Sequence, residues 1–230
     1  MATIASRLQQ VRLRIERACA AAGRTAGGVT LLAVSKSCPA GRLREAHAAG
    51  QSAFGENYVQ EALAKIELLA DLRPAAEWHL IGPLQSNKTR AVAERFDWVH
   101  SVDRLKLAER LSAQRPPHLD ALQVCLQVNV SGEASKSGLA PAEVPDVARA
   151  VARLPGLRLR GLMAIPEPTG DLAAQRAPHR ALRELLHALQ RDGLALDTLS
   201  MGMSADLEAA IAEGATMVRV GTAIFGARDA

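Results

Sequence analysis

The sequence predicts an α/β fold: a single (β/α)8 TIM barrel with an extra helix at its N-terminal end. Three observations support this. Eight short, apolar, strand-like runs follow one another from Val29 onward, with helical patterns between them. No linker, internal repeat or low-complexity tract interrupts the alternation. Residues 1–230 therefore read as one domain, with a lead-in helix over 1–23 and the barrel over 29–226. The length, 230 residues, is close to the ~250 usual for this barrel. An open, doubly wound sheet is the competing arrangement, because periodicity does not show closure.

Ile4, Leu8, Val11, Ile15, Ala18 and Cys19 recur at helical spacing. Residues 3–22 thus form an amphipathic helix that ends near Gly23 and either covers the barrel floor or flanks it. Strand candidates are 29–34, 52–54, 77–81, 97–101, 121–130, 157–164, 196–200 and 216–220. Helical patterns lie near 40–49, 58–72, 86–95, 104–114, 141–153, 175–191 and 204–213. The first strand, Leu31-Leu32-Ala33-Val34, is apolar on both faces, as an inner strand of a parallel sheet is. Ser35 and Lys36 follow at once, and Ser37 to Gly41 is turn chemistry. That places Lys36 at the C-terminal mouth of a strand, where ligands bind in such folds. A lysine held over apolar packing loses hydration, which favours the neutral amine and lets it attack a carbonyl as a Schiff-base lysine. The alternative is a solvated loop lysine.

The second strand leads into Phe54-Gly55-Glu56-Asn57-Tyr58, where Asn57 can bind a ligand or cap the next helix. His79, inside the apolar third strand, reads as a hydrogen-bonded interior histidine, and Gln85-Ser86-Asn87 as a helix start. After the fourth strand, Ser101 or Asp103 reads as a cap. The loop after the fifth strand, 129–138, has the look of a phosphate cradle. A P-loop requires glycine directly before the lysine, however, and Ser135 precedes Lys136, so a nucleoside-triphosphate site is excluded. Lys136 reads as a surface charge, with the ligand mouth as its other option. The sixth strand, ending Leu162-Met163-Ala164-Ile165-Pro166, offers apolar wall.

The last two strands carry more chemistry. Leu199-Ser200-Met201-Gly202-Met203-Ser204 sets hydroxyls and a glycine at a strand-to-helix junction, where backbone N–H groups favour an anion. Ser200, Ser204, Gly221 and Thr222 fit the phosphate site that these barrels build after strands seven and eight. Arg219 alternates with Val218 and Val220 and so points into the barrel, where it must find an acceptor. A ligand ring nitrogen, a phosphate or a carboxylate such as Glu56 would serve.

Composition excludes several classes. The 28 basic residues are interspersed with 24 acidic ones for a net charge of +4, and there are two Trp, one Tyr and three Phe, so a nucleic-acid footprint is not expected. No run is long and apolar enough to span a membrane, and residues 1–22 carry charges throughout. Neither a membrane anchor nor a leader is expected, and the cytoplasm is the default location. Cys19, Cys38 and Cys125 match neither a disulfide framework nor a metal site and read as free thiols.

Taken together, AVSK at 33–36, FGENYVQE at 54–61, WHLIGPLQSNK at 78–88, HSVD at 100–103, QVNVSGEASKSG at 127–138, RGLMAIP at 160–166, LSMGMSAD at 199–206 and VRVGTAIFG at 218–226 resemble the pyridoxal phosphate homeostasis protein family, whose members are similar to the N-terminal barrel of alanine racemase. The resemblance spans nearly the whole chain. It implies a pyridoxal 5′-phosphate (PLP) cofactor held as a Schiff base on Lys36. It also implies phosphate contacts from Ser200, Gly221 and Thr222, an approach of Arg219 to the pyridine nitrogen, and Asn57 lining the cofactor. Many members of that family carry a second basic residue two positions after the lysine, where this chain has Cys38.

A PLP racemase needs two acid/base groups on opposite faces of the substrate adduct, the second being, in alanine racemase, a tyrosine from a separate C-terminal domain. This chain stops at Ala230 and has one tyrosine, Tyr58, at the start of a helix. The expected function is therefore to store, buffer or deliver PLP in vitamin B6 homeostasis, as a monomer serving PLP-dependent apo-enzymes, with no catalytic residues and no metal. The alternatives are an amino-acid racemase, with Cys38 or Lys136 as the second base, and a Schiff-base aldolase acting on a phosphorylated sugar.

Overall fold

Each apolar run forms a strand, and the amphipathic stretches form helices that cover the strands. The computed structural model describes residues 2–131 and 137–226. The chain runs α1 Ile4–Ala21, β1 Thr30–Val34, α2 Ala40–Ala48, β2 Ala53–Glu56, α3 Val59–Leu68, β3 Glu77–Leu80, α4 Thr89–Arg95, β4 Trp98–Val102, α5 Leu105–Gln114, β5 Leu122–Gln127, α6 Val144–Val151, β6 Leu157–Met163, α7 Leu172–Arg191, β7 Thr198–Ser200, α8 Leu207–Ala212, β8 Met217–Val220 and α9 Thr222–Phe225. All eight strands are parallel and hydrogen-bond in sequence order. β8 closes on β1 with Thr30 opposite Met217 and Ala33 opposite Val220. Closure rules out the open sheet.

The main core lies between the barrel and its helices, where buried Leu, Val, Ile and Ala from both layers form one cluster. Inside the barrel two smaller apolar groups pack, Leu32 with Ala53, Ile81 and Met217, and Trp98 with Cys125 and Met163. Gly161 lets β6 and β7 approach: a Cβ there would sit 1.9 Å from the Thr198 carbonyl oxygen.

α1 flanks the barrel wall and packs against α2, α8 and α9. Arg14 pairs with Glu208 at 2.6 Å, and Arg12 donates to the carbonyls of Ala49 and Gly50. The cap expected from Ser101 or Asp103 is absent. Arg104 occupies the cap position of α5 and makes no side-chain capping bond, Asp103 instead accepts from the Arg104 guanidinium, and among the described residues the Ser101 hydroxyl is buried with no partner. The three cysteines are free thiols. Among the described residues no helix is long and apolar enough to cross a membrane, and no cluster of ligating side chains could hold a metal ion.

Candidate functional site

β1 ends at Val34, Ser35 is buried, and half-buried Lys36 stands at the rim. Lys36 has no side-chain hydrogen bond or ion pair among the described residues. Its two neighbours are held tightly. The Ser35 hydroxyl donates to Glu56 Oε1 at 2.6 Å, and the Ser37 backbone N–H donates to Glu61 Oε1 at 2.6 Å. Lys65, on α3, joins the two carboxylates. Its Nζ donates to the Ser35 carbonyl (2.7 Å), Glu56 Oε1 (2.7 Å) and Glu61 Oε1 (2.5 Å). Ser37 sits at φ +60°, a left-handed conformation that costs a non-glycine residue about 1–2 kcal/mol. Burial pushes the Glu56 carboxyl above its ordinary range, with the Lys65 ammonium opposing that rise. Glu56 is therefore the partner of Lys65, not of Arg219.

Arg219 points into the barrel, as strand alternation requires, and is 3 % exposed. Among the described residues its hydrogen-bond acceptors are neutral: the Ser200 carbonyl at 2.6 Å, the Ser200 hydroxyl at 2.9 Å and the Ala164 carbonyl at 2.8 Å. Burial without a contacting carboxylate pushes the guanidinium down to about 10. The network continues downward from Ser200. The Ser200 hydroxyl lies 2.8 Å from His100 Nδ1, and His100 Nε2 lies 3.0 Å from His79 Nδ1. A guanidinium can only donate, so donor counting assigns the serine proton to His100 and the His100 Nε2 proton to His79. Beyond it, Glu77 stands 3.6 Å from His79 Nε2, outside hydrogen-bond range. Desolvation holds both imidazoles below their ordinary value, His100 well below.

A cavity of about 120 Å³ opens at the top of β1 and β8, lined among others by Lys36, Cys38, Arg42, Gly221 and Thr222. The structure thus brings Lys36 together with the Gly221–Thr222 turn. Gly221 packs directly on β1: a Cβ there would lie 3.0 Å from the Val34 carbonyl oxygen. Thr222 opens α9, whose first N–H groups have no partner within the helix. Ser200 is not among the residues lining this cavity; its hydroxyl is committed to Arg219 and His100 beneath the mouth. Ser204, half-buried in the turn before α8, does not line it either. Asn57 does not cap α3, where Tyr58 holds the cap position, and its Oδ1 is buried without a partner. Asn57 is not among the residues lining the cavity. Lys136 and Ser135 lie outside the described residues.

The sequence reading missed Glu61, Lys65 and Arg42. The first two follow Glu56 at five and nine residues, a spacing that carries no helical signal across a strand-to-helix turn. The i, i+4 pair Glu61–Lys65 was readable as a surface pair, but not as a buried link back to β1.

The family model for the alanine racemase N-terminal domain matches residues 7–229. Over 229 residues the chain is 66% identical to the pyridoxal phosphate homeostasis protein of Pseudomonas aeruginosa, covering 100% of this chain and 97% of that one. Identity to the protein of the same name from Escherichia coli is 54% over 230 residues, covering 100% of this chain and 98% of the other. Among solved structures, PipY of Synechococcus elongatus with PLP bound is 42% identical and superposes with a TM-score of 0.85, over 97% of this chain and 100% of that one.

Proposed function

Because the chain belongs to the alanine racemase N-terminal domain family, and within it to the pyridoxal phosphate homeostasis proteins, we propose that it binds PLP at the barrel mouth and buffers or delivers it. The observation that carries this reading is the meeting, in one cavity, of a primary amine without a partner among the described residues, Lys36, with the Gly221–Thr222 turn. The remaining residues fit the same group. Arg219 is a buried guanidinium whose hydrogen-bond acceptors among the described residues are neutral, and the buried Asn57 side-chain carbonyl has no partner among them.

When bound, PLP supplies an aldehyde that condenses with an amine with loss of water, and a ring that can withdraw electrons. Lys36 would hold the aldehyde carbon as a Schiff base. The Gly221 and Thr222 backbone and the Thr222 hydroxyl would hold the phosphate, with Arg42 adding positive charge to the cavity wall. Arg219 would face the pyridine nitrogen and, having only protons to donate, keep that nitrogen unprotonated. Asn57 would line the ring. Ser200 belongs to the set through Arg219, whose guanidinium its carbonyl and hydroxyl orient.

Storage suits this arrangement better than turnover. An unprotonated ring nitrogen is a weaker electron sink, and the chain's tyrosine, Tyr58, is 60% exposed. On this reading the protein works in the cytoplasm as a monomer that hands PLP to apo-enzymes. The test is an absorbance spectrum with and without added PLP, repeated on Lys36→Ala. A visible band in the wild type that is lost in the variant is expected; absence of any band at excess PLP overturns the assignment and favours a Schiff-base aldolase.

A further inference from the structure

We propose that Lys65, with Glu56 and Glu61, is a positioning device that holds the Ser35–Lys36–Ser37 segment in the conformation in which Lys36 loads its cofactor. The proposal rests on the PLP reading above and names three residues beyond the set expected to touch the cofactor.

The geometry is that of a bracket around one residue. Lys65 has three protons to donate, and all three are used: on the Ser35 carbonyl, on Glu56 and on Glu61. Glu56 Oε1 returns to the Ser35 hydroxyl, and Glu61 Oε1 to the Ser37 amide. The residue before Lys36 and the residue after it are thus fixed from α3, while the Lys36 side chain makes no hydrogen bond or ion pair among the described residues. Ser37 needs such a hold, because its φ of +60° is a conformation that a free serine leaves.

A purely structural reading of the cluster is weaker. Lys65 and Glu56 have side chains only 6% and 0% exposed. Apolar side chains of similar volume would serve stability in a buried site as well as an ion pair does, or better. Apolar replacements could not, however, grip a carbonyl on one side of Lys36 and, through Glu61, an amide on the other. Glu61 is the informative member, being 29% exposed and in contact with the loop by one carboxylate oxygen.

The experiment compares wild type, Glu61→Ala, Glu61→Gln and Lys65→Met. In the cofactor-free protein, hydrogen exchange at the Ser37 amide should accelerate about tenfold or more in Glu61→Ala and Lys65→Met but not in Glu61→Gln, whose side-chain oxygen still accepts. The rate at which added PLP produces the visible band should fall about tenfold or more in the same two variants, with Glu61→Gln close to wild type and the thermal midpoint of Glu61→Ala little changed. Unchanged exchange and loading in Glu61→Ala would overturn the proposal, as would loading in Glu61→Gln as slow as in Glu61→Ala. Should Lys65→Met fail to fold, the two Glu61 variants decide alone. A wild type that shows no band defeats the PLP reading instead, and the exchange measurement on cofactor-free protein still decides the bracket.

Discussion

His100 and His79 show how burial sets the behaviour of single residues in this barrel. Both are fully enclosed, and desolvation, the largest influence on each, keeps them neutral when folded. In the unfolded chain both take up protons near the ordinary value of 6.5. The unfolded state therefore binds more protons below that pH, and stability must fall as pH drops through 6.5. Each histidine can contribute a slope of up to ~1.4 kcal/mol per pH unit. Glu56, raised by burial, works in the opposite sense nearer its ordinary 4.5, and Asp206 and Glu213, held low, matter only below that region. Urea midpoints should decline from pH 7 to pH 5, and His100→Asn should remove about one proton from the slope; a flat profile would contradict the neutral network. At this scale the sequence was partly legible. Arg219 was readable as inward-pointing from strand alternation, and Lys36 from its place after an apolar run. The partner of Ser200 was not, because His100 lies 100 residues away in the chain and no local pattern links them.

Between elements, packing is reinforced at a few polar points. Glu213, just past α8 and 1% exposed, accepts from Arg176, Arg180 and Arg183 on α7. Removing it leaves three guanidinium groups crowded together without their shared acceptor. Glu213→Ala should cost about 2 kcal/mol in urea unfolding, and a loss near zero would mean that α7 and α8 are held by apolar packing alone. Element types were legible from period, whereas their ends were set by contacts the period does not encode. The fifth strand, expected over 121–130, stops at Gln127, and Val128 forms only a lone bridge to Leu139. The helix expected over 204–213 starts at Leu207, because Asp206 first takes the Met203 amide in a turn. α9, four residues long, is too short to show any period.

For the whole molecule, alternation and length pointed to a barrel, but closure became visible only in the pairing of β8 with β1. That closure is what carries Thr222, near the end of the chain, to the rim beside Lys36. A store built this way should hold PLP without turning it over. Purified, PLP-loaded protein incubated with single-enantiomer amino acids should leave them optically unchanged while an added apo-enzyme gains activity; robust racemisation would overturn the carrier assignment. The most direct test of the central claim is borohydride reduction of PLP-loaded protein followed by peptide mapping. The account predicts one pyridoxyl-modified peptide with the label on Lys36. A label found only on other lysines, or no label at all, would contradict it.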